Sequence, residues 1–195
     1  KRRVRRCDSR EQCFAERKQE QAAKKGDLRM IALKIEDLKT FTAQLFMGET
    51  FDHWLVREAN IVTFNSFTID GRIRQGYYSD EELEKNRIEE LSSWKALRPF
   101  CYSLIKGKKL PESFQITMQL SPEENEKFIR RVKPNFPAEQ VAALYLNIRY
   151  ENHAAACVTG TSLKVFTLDK QIEREWDDTV RRYFKKLQIP CVEAN

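Results

Sequence analysis

Between residues 114 and 124 the sequence changes period. Residues 114–120 alternate apolar and polar side chains, the pattern of a strand with one buried face. Ser121-Pro122-Glu123-Glu124 follows at once. Ser at the N-cap, Pro at the first helical position and Glu at the third make a strong helix start. A chain that passes from strand to capped helix with no linker is committed to packed layers of α and β structure.

The rest of the sequence repeats this grammar. Residues 30–35 read as a strand, and Asp37 caps a helix running to about Met47, with Leu38, Phe41, Leu45 and Phe46 on one face. Strands are expected at about 53–60 and 61–73, the second rich in Ile, Val, Thr and Phe. The acidic stretch 80–90 reads as an exposed helix. Residues 93–106 read as a buried one, with Trp94, Leu97, Cys101 and Leu104 at helical spacing and Pro99 as a kink or a late start. The helix opened by Ser121 ends before Pro134. Strands at about 141–150 and 154–168 form a hairpin around Glu151-Asn152, and Gly160 suggests a bulge in the second. Asp169 caps a last helix whose stripe is Ile172, Trp176, Val180, Tyr183 and Leu187. On that register Trp176 is core, and Asp177, about 100° round the helix, faces solvent.

The expected fold is therefore α+β: an antiparallel sheet with helices packed on one face. Two halves, about 30–110 and 111–190, share the order strand, helix, strand, strand, helix within a single domain of 30–190. Val62-Thr63-Phe64-Asn65-Ser66-Phe67-Thr68-Ile69 echoes Val158-Thr159-Gly160-Thr161-Ser162-Leu163-Lys164-Val165.

Charge is unevenly placed. The chain carries 35 Lys and Arg against 29 Asp and Glu, and residues 1–29 hold 11 of the former and 5 of the latter. The remaining 24 basic residues are matched by 24 acidic ones, so the expected domain is neutral and the excess lies in a basic tail. Met30 is a plausible initiator, which would make 1–29 an extension. Within the tail, Ser9 with Gln12 has capping-box spacing and Gly26 is a helix stop. A polyanion would bind Arg2, Arg3, Arg5 and Arg6 with strong salt dependence.

Several chemistries find little support. The five cysteines, Cys7, Cys13, Cys101, Cys157 and Cys191, are odd in number and dispersed, which points to a reducing, cytoplasmic setting rather than a disulfide framework. No apolar run approaches the roughly 18 residues of a membrane span. There is no Cys-x-x-Cys or His-x-x-x-His. His153 and Cys157, read on one strand, sit roughly 13 Å apart, too far to share a metal. Asp52 and His53 would point to opposite faces of a strand. Cys101 reads as a buried, unreactive thiol. Residues 159–162 are small and polar, but no helix follows them to form a phosphate loop. No catalytic residue, metal or cofactor is assigned.

The best anion-binding candidate is Lys95, Arg98, Lys106, Lys108 and Lys109, between Leu91 and Pro111 with no acid among them. Arg130, Arg131 and Lys133 end one helix, and Arg181, Arg182, Lys185 and Lys186 end another, as helix dipoles favour. These clusters are not expected to offer interleaved aromatics suited to base stacking, which argues against single-strand binding.

Certain segments resemble a known family. They are the run from Met30 to Lys39, Thr50-Phe51-Asp52-His53-Trp54-Leu55, Phe67-Thr68-Ile69-Asp70-Gly71, Leu97-Arg98-Pro99-Phe100-Cys101, Leu104-Ile105-Lys106-Gly107-Lys108 and the run from Thr159 to Lys170. Over about 30–187 the chain is similar to an uncharacterised family of small clostridial proteins, a domain of unknown function, and the resemblance implies no activity. The duplicated unit, with Thr159-Gly160-Thr161-Ser162-Leu163-Lys164-Val165, also resembles one domain of a DNA sliding clamp, a likeness of fold alone. The expected function is a non-catalytic binding module whose partner is protein or nucleic acid, with no membrane. The alternative is an enzyme acting on a phosphorylated or nucleotide substrate, using residues 159–162 and the basic residues of 95–109.

Overall fold

The computed structural model describes residues 30–85 and 88–194. The tail reading, with Cys7 and Cys13, lies outside the described residues. Strand β1 (Ala32–Ile35) leads into α1 (Leu38–Phe46), then β2 (Leu55–Val62), β3 (Ser66–Asp70), α2 (Asp80–Lys85) and α3 (Trp94–Ile105). The second half runs β4 (Ser113–Gln119), α4 (Pro122–Val132), β5 (Val141–Glu151), β6 (Ala154–Leu163), α5 (Gln171–Lys186) and β7 (Cys191–Glu193). The strands form one antiparallel sheet in the order β3-β2-β4-β5-β6-β1-β7. The fold is α+β, as expected.

Local signals explain the helix starts. Asp37 accepts from the Thr40 backbone N–H and from its hydroxyl, and these bonds hold its carboxyl below the usual range. Ser121 accepts from the Glu124 N–H at 3.3 Å. Asp169 accepts from the Gln171 N–H at 2.9 Å, one residue before the cap position, which Lys170 occupies. Pro99 lies inside α3. The β5–β6 hairpin turns on Asn152 and His153, both at positive φ. That is the conformation a two-residue turn needs to match strand twist.

The alternation of β5 shows which face is covered. Leu144, Leu146, Ile148 and Tyr150 are buried, while Arg149 and Glu151 are exposed. The covered face meets Phe41, Leu45 and Phe46 of α1, Trp94 and Cys101 of α3, Phe128 and Ile129 of α4, and Ile172, Trp176, Val180 and Phe184 of α5. Trp94 fixes α3 to α1 by donating from Nε1 to the Leu45 carbonyl at 2.7 Å. Burial pushes the Cys101 thiol up to about 11, in keeping with an inert core cysteine.

Several expectations need correction. The expected strands 53–60 and 61–73 are shifted: β2 ends at Val62, a turn occupies 63–65, and β3 ends at Asp70. The echo of Val62–Ile69 in Val158–Val165 therefore lays a turn against a continuous strand. Strand β6 stops at Leu163; Phe166 and Leu168 beyond it are exposed despite their apolar character. The irregularity in the hairpin falls at Val141 and Ala143, while Gly160 pairs in register with Tyr145. The short strand β7 was not foreseen. Trp176 is core as expected, but Asp177 is buried, at 5 % exposure, because β6 and the start of β1 cover it.

Candidate functional site

The five basic residues between 91 and 111 do not converge. Arg98 is half-buried: its Nη2 lies 3.0 Å from Asp52 Oδ2, and its Nη1 donates to the Gly48 carbonyl. Its charge is neutralised in fixing the loop that follows α1. Lys95 is exposed near the start of α3. Lys106, Lys108 and Lys109 are exposed after its last turn. Residues 159–162 lie within β6, and the Thr159 hydroxyl is turned inward, donating to Asp177 at 2.5 Å. Asp52 and His53 sit in a turn, not on a strand; Asp52 faces Arg98 and His53 is exposed. His153 is in the hairpin turn rather than on the strand with Cys157. Among the described residues no three His, Cys, Asp or Glu side chains are grouped to hold a metal. Nor is any helix among them long and apolar enough to cross a membrane.

What the fold does bring together is one face of α4 and one of α5, carrying Arg131 from the first basic cluster and Arg182 and Lys186 from the second. The two helices pack side by side, and the turn carrying His53 and Trp54 closes one end of the space between them. The result is a cavity of about 290 Å³. Its floor is aromatic. Trp54 and Trp176 have ring centroids 6.0 Å apart, Phe128 meets Trp176 edge-on at 5.6 Å, and Tyr183 lies 6.0 Å from Trp54. These rings are held by their polar ends: Trp176 Nε1 donates to the Tyr145 carbonyl at 3.0 Å, and the Tyr183 hydroxyl donates to the Thr50 carbonyl at 2.7 Å. Burial pushes the Tyr183 phenol above its ordinary pKa, against the bond it accepts from Trp54.

The walls are charged. Glu124, Lys127 and Arg131 line the cavity, and the Arg131 guanidinium sits 5.5 Å over the Phe128 ring. A wider groove of about 680 Å³ adjoins it, sharing Arg131, Thr179 and Tyr183 and adding Glu175, Arg182 and Lys186. Three neighbouring basic residues are engaged: Arg130 with Glu126, Lys133 with Asp169, and Arg181 with Asp178 and Glu193. Among the described residues Lys127, Arg131 and Lys186 have no such carboxylate partner.

Glu124 is the least expected member. By sequence it is the third helical residue of a capping motif, whose side chain would bond back to the Ser121 N–H. Instead its Oε2 is buried with no hydrogen-bond partner. The sequence reading missed this site because its aromatics come from three separate segments. The signal available was the Phe128–Arg131 spacing on α4, opposite the Trp176–Tyr183 spacing on α5.

A family model, Family of unknown function (DUF5721), matches residues 44–191, and the chain belongs to that family. No curated protein and no solved structure matches the chain.

Proposed function

We propose that this family member is a binding module whose site is the cleft between α4 and α5, and that the cleft takes a small ligand joining a flat ring to an anionic group. The observation that carries this reading is the meeting of two basic helix ends over one aromatic floor. Ligand sites run from roughly 300 to 1,000 Å³ and combine apolar walls with a few convergent polar groups. The inner cavity, at about 290 Å³, suits a single ring system better than a folded polymer. The outer groove offers Arg131, Arg182 and Lys186 against Glu175, an excess of positive charge where the anion would lie. Arg suits this role because its planar fork pairs with phosphate oxygens bidentately.

The exposed lysines Lys95, Lys106, Lys108 and Lys109 remain a second basic surface. They would attract polyanions without discriminating among them.

The test follows tryptophan fluorescence of the full chain during titration with nucleoside monophosphates, the matching nucleosides and inorganic phosphate. Trp54 and Trp176 report on the cleft directly. Nucleotides are expected to bind more tightly than either half alone, and Arg131→Ala with Lys186→Ala to weaken them at least about ten-fold. The triple change Lys106→Ala, Lys108→Ala, Lys109→Ala is expected to leave this binding unaltered. Absence of any nucleotide signal, or equal losses from both sets of changes, overturns the assignment. Consumption of the bound nucleotide would make the chain an enzyme rather than a module.

A further inference from the structure

We infer that the free edge of β3 pairs with β3 of a second copy of this chain, joining the two sheets across a two-fold axis at Thr68. The inference stands apart from the cleft. Strand β3 ends the sheet, and among the described residues no strand lies beyond it. Two bonds at its ends fix which of its backbone groups point outward. The Gly71 N–H donates to the Arg57 carbonyl, and the Thr63 N–H donates to the Asn65 carbonyl. Residues of an antiparallel strand alternate between bonding to a neighbour and turning away from it. Phe67 and Ile69 therefore bond to β2, whereas Ser66, Thr68 and Asp70 turn their N–H and C=O groups outward. All three are exposed.

Natural sheets guard such an edge with charge, proline, a bulge or a very short strand. The opposite edge follows that rule: β7 has three residues and comes directly after Pro190. Strand β3 does not. It runs for five residues, pairs with β2 in unbroken register and carries a charge only at its end, on Asp70. The strand is also complementary to itself, as a two-fold contact requires. With Thr68 opposite Thr68 of the second copy, Ser66 faces Asp70 and Phe67 faces Ile69. Every outward N–H and C=O of the strand is then matched, and no like charges are opposed. Moving the axis to Phe67 or to Ile69 leaves Asp70 or Ser66 beyond the end of the facing strand.

The two faces of the edge agree with this pairing. Ser66, Thr68 and Asp70 lie on the face away from the helices, where the Thr68 hydroxyl donates to Asn60 at 2.7 Å. Phe67 and Ile69 sit beside the buried Ile61 and Ala59 on the helix face, yet each is only half-buried. Helix α3 adds to that apolar rim. Its Arg98 flank turns towards Gly48 and Asp52, in the loop after α1. The other flank, with Leu97, Phe100 and Leu104 at helical spacing, is on the side of β3, and Phe100 is 65 % exposed. A two-fold axis normal to the sheet keeps both α3 helices on one face of the joined sheet. Phe67, Ile69 and Phe100 of the two copies then cover one another, while the polar side chains stay together on the other face. A foreign strand would have to reproduce this pattern; a second copy already has it.

The experiment measures the mass of the full chain by size-exclusion chromatography with light scattering over a rising concentration series. The original protein is expected to pass from one copy to two. Thr68→Pro removes an outward N–H at the axis but no bond to β2, and proline is tolerated on an edge strand. It is expected to weaken pairing at least about ten-fold. Thr68→Lys and Thr68→Asp each oppose like charges across the axis and are expected to weaken pairing similarly. Mixed together, these two variants are expected to pair again, because residue 68 of one copy meets residue 68 of the other. Circular dichroism matching the original protein identifies the variants that fold. A mass of one copy at every concentration overturns the inference. So does a dimer that persists in both charged variants, or their failure to pair on mixing. Growth beyond two copies overturns it as well, since a self-paired edge closes on itself. The charged substitutions fall on an exposed side chain, so they decide the matter even if Thr68→Pro fails to fold.

Discussion

The Thr159 hydroxyl donates to the Asp177 carboxylate at 2.5 Å and accepts from the Ile31 backbone N–H at 3.1 Å. One oxygen therefore joins β6, α5 and the start of β1. Thr159→Val keeps the shape but removes both bonds. The cost is expected to be about 2–3 kcal/mol, because a buried carboxylate loses its donor and a backbone N–H its acceptor. Urea unfolding of the two proteins measures it, and a difference below about 1 kcal/mol would show that this junction is incidental.

The same carboxylate should tilt the pH dependence of stability. Burial holds the Asp177 pKa above its ordinary value, against the lowering effect of the Thr159 bond. The folded state thus binds this proton more tightly than the unfolded chain does. Its contribution is full below the unfolded value of about 3.9 and is lost as pH rises through the folded value. Asp177→Asn removes the titration. As pH rises above the unfolded value, unfolding free energies should fall more steeply in the original protein than in Asp177→Asn, until the folded carboxyl has ionised. Parallel curves would mean that Asp177 does not carry the linkage.

Gly71 is a test of close backbone approach. A Cβ there would meet the Val56 carbonyl oxygen at 1.8 Å. The neighbouring bonds, Gly71 N–H to Arg57 carbonyl and Ser92 N–H to Gly71 carbonyl, fix the segment in place. Gly71→Ala is expected to cost at least about 3 kcal/mol, the upper range of overpacking. A melting temperature unchanged within error would contradict the approach.

Arg98 and Asp52 should behave as a structural pair. Both are mostly buried, and the Arg98 guanidinium also holds the Gly48 carbonyl. Arg98→Ala is expected to destabilise by about 2–3 kcal/mol, somewhat less than for a fully buried pair. Arg98→Lys should recover only part of this, since an ammonium lacks the planar fork. Full recovery would reduce the contact to a simple charge effect.

The proposed domain boundary predicts that removing residues 1–29 changes unfolding free energy by less than about 1 kcal/mol, a small part of ordinary stability. Among the described residues the first strand begins at Ala32, and Ile31 just before it is already buried and bonded to Thr159. A larger loss in differential scanning calorimetry would extend the domain into the tail.

Features set by neighbours in sequence were legible before the structure. Asp37 and Ser121 announce their helices because a cap bonds within three residues. The β5–β6 hairpin follows from its short turn. Asp177 was misplaced because helical periodicity describes one helix, whereas its burial is supplied by Thr159, distant in sequence. The turn at 63–65 was hidden inside a run of strand-favouring residues, Phe64 among them. Val165, Phe166 and Leu168 prolonged the apparent strand for the same reason. The cleft was illegible because Trp54, Phe128 and Trp176 become neighbours only when α4 and α5 pack. Glu124 was read correctly as a helix-start residue by position, and its unsatisfied oxygen appears only in three dimensions.

The pairing of β1 between β6 and β7 has a consequence for how the chain is made. Ala32 faces Val158, and Leu33 faces Glu193. Made before both of its partners, β1 has no place in the sheet until β6 has left the ribosome. Domains dominated by such distant pairings fold slowly, because loop closure precedes any reward. During that interval the apolar side chains of β1 and α1, including Leu33, Ile35, Phe41 and Leu45, await their partners. Nascent chains of this protein should therefore depend on chaperones until β6 and β7 have emerged to cover β1.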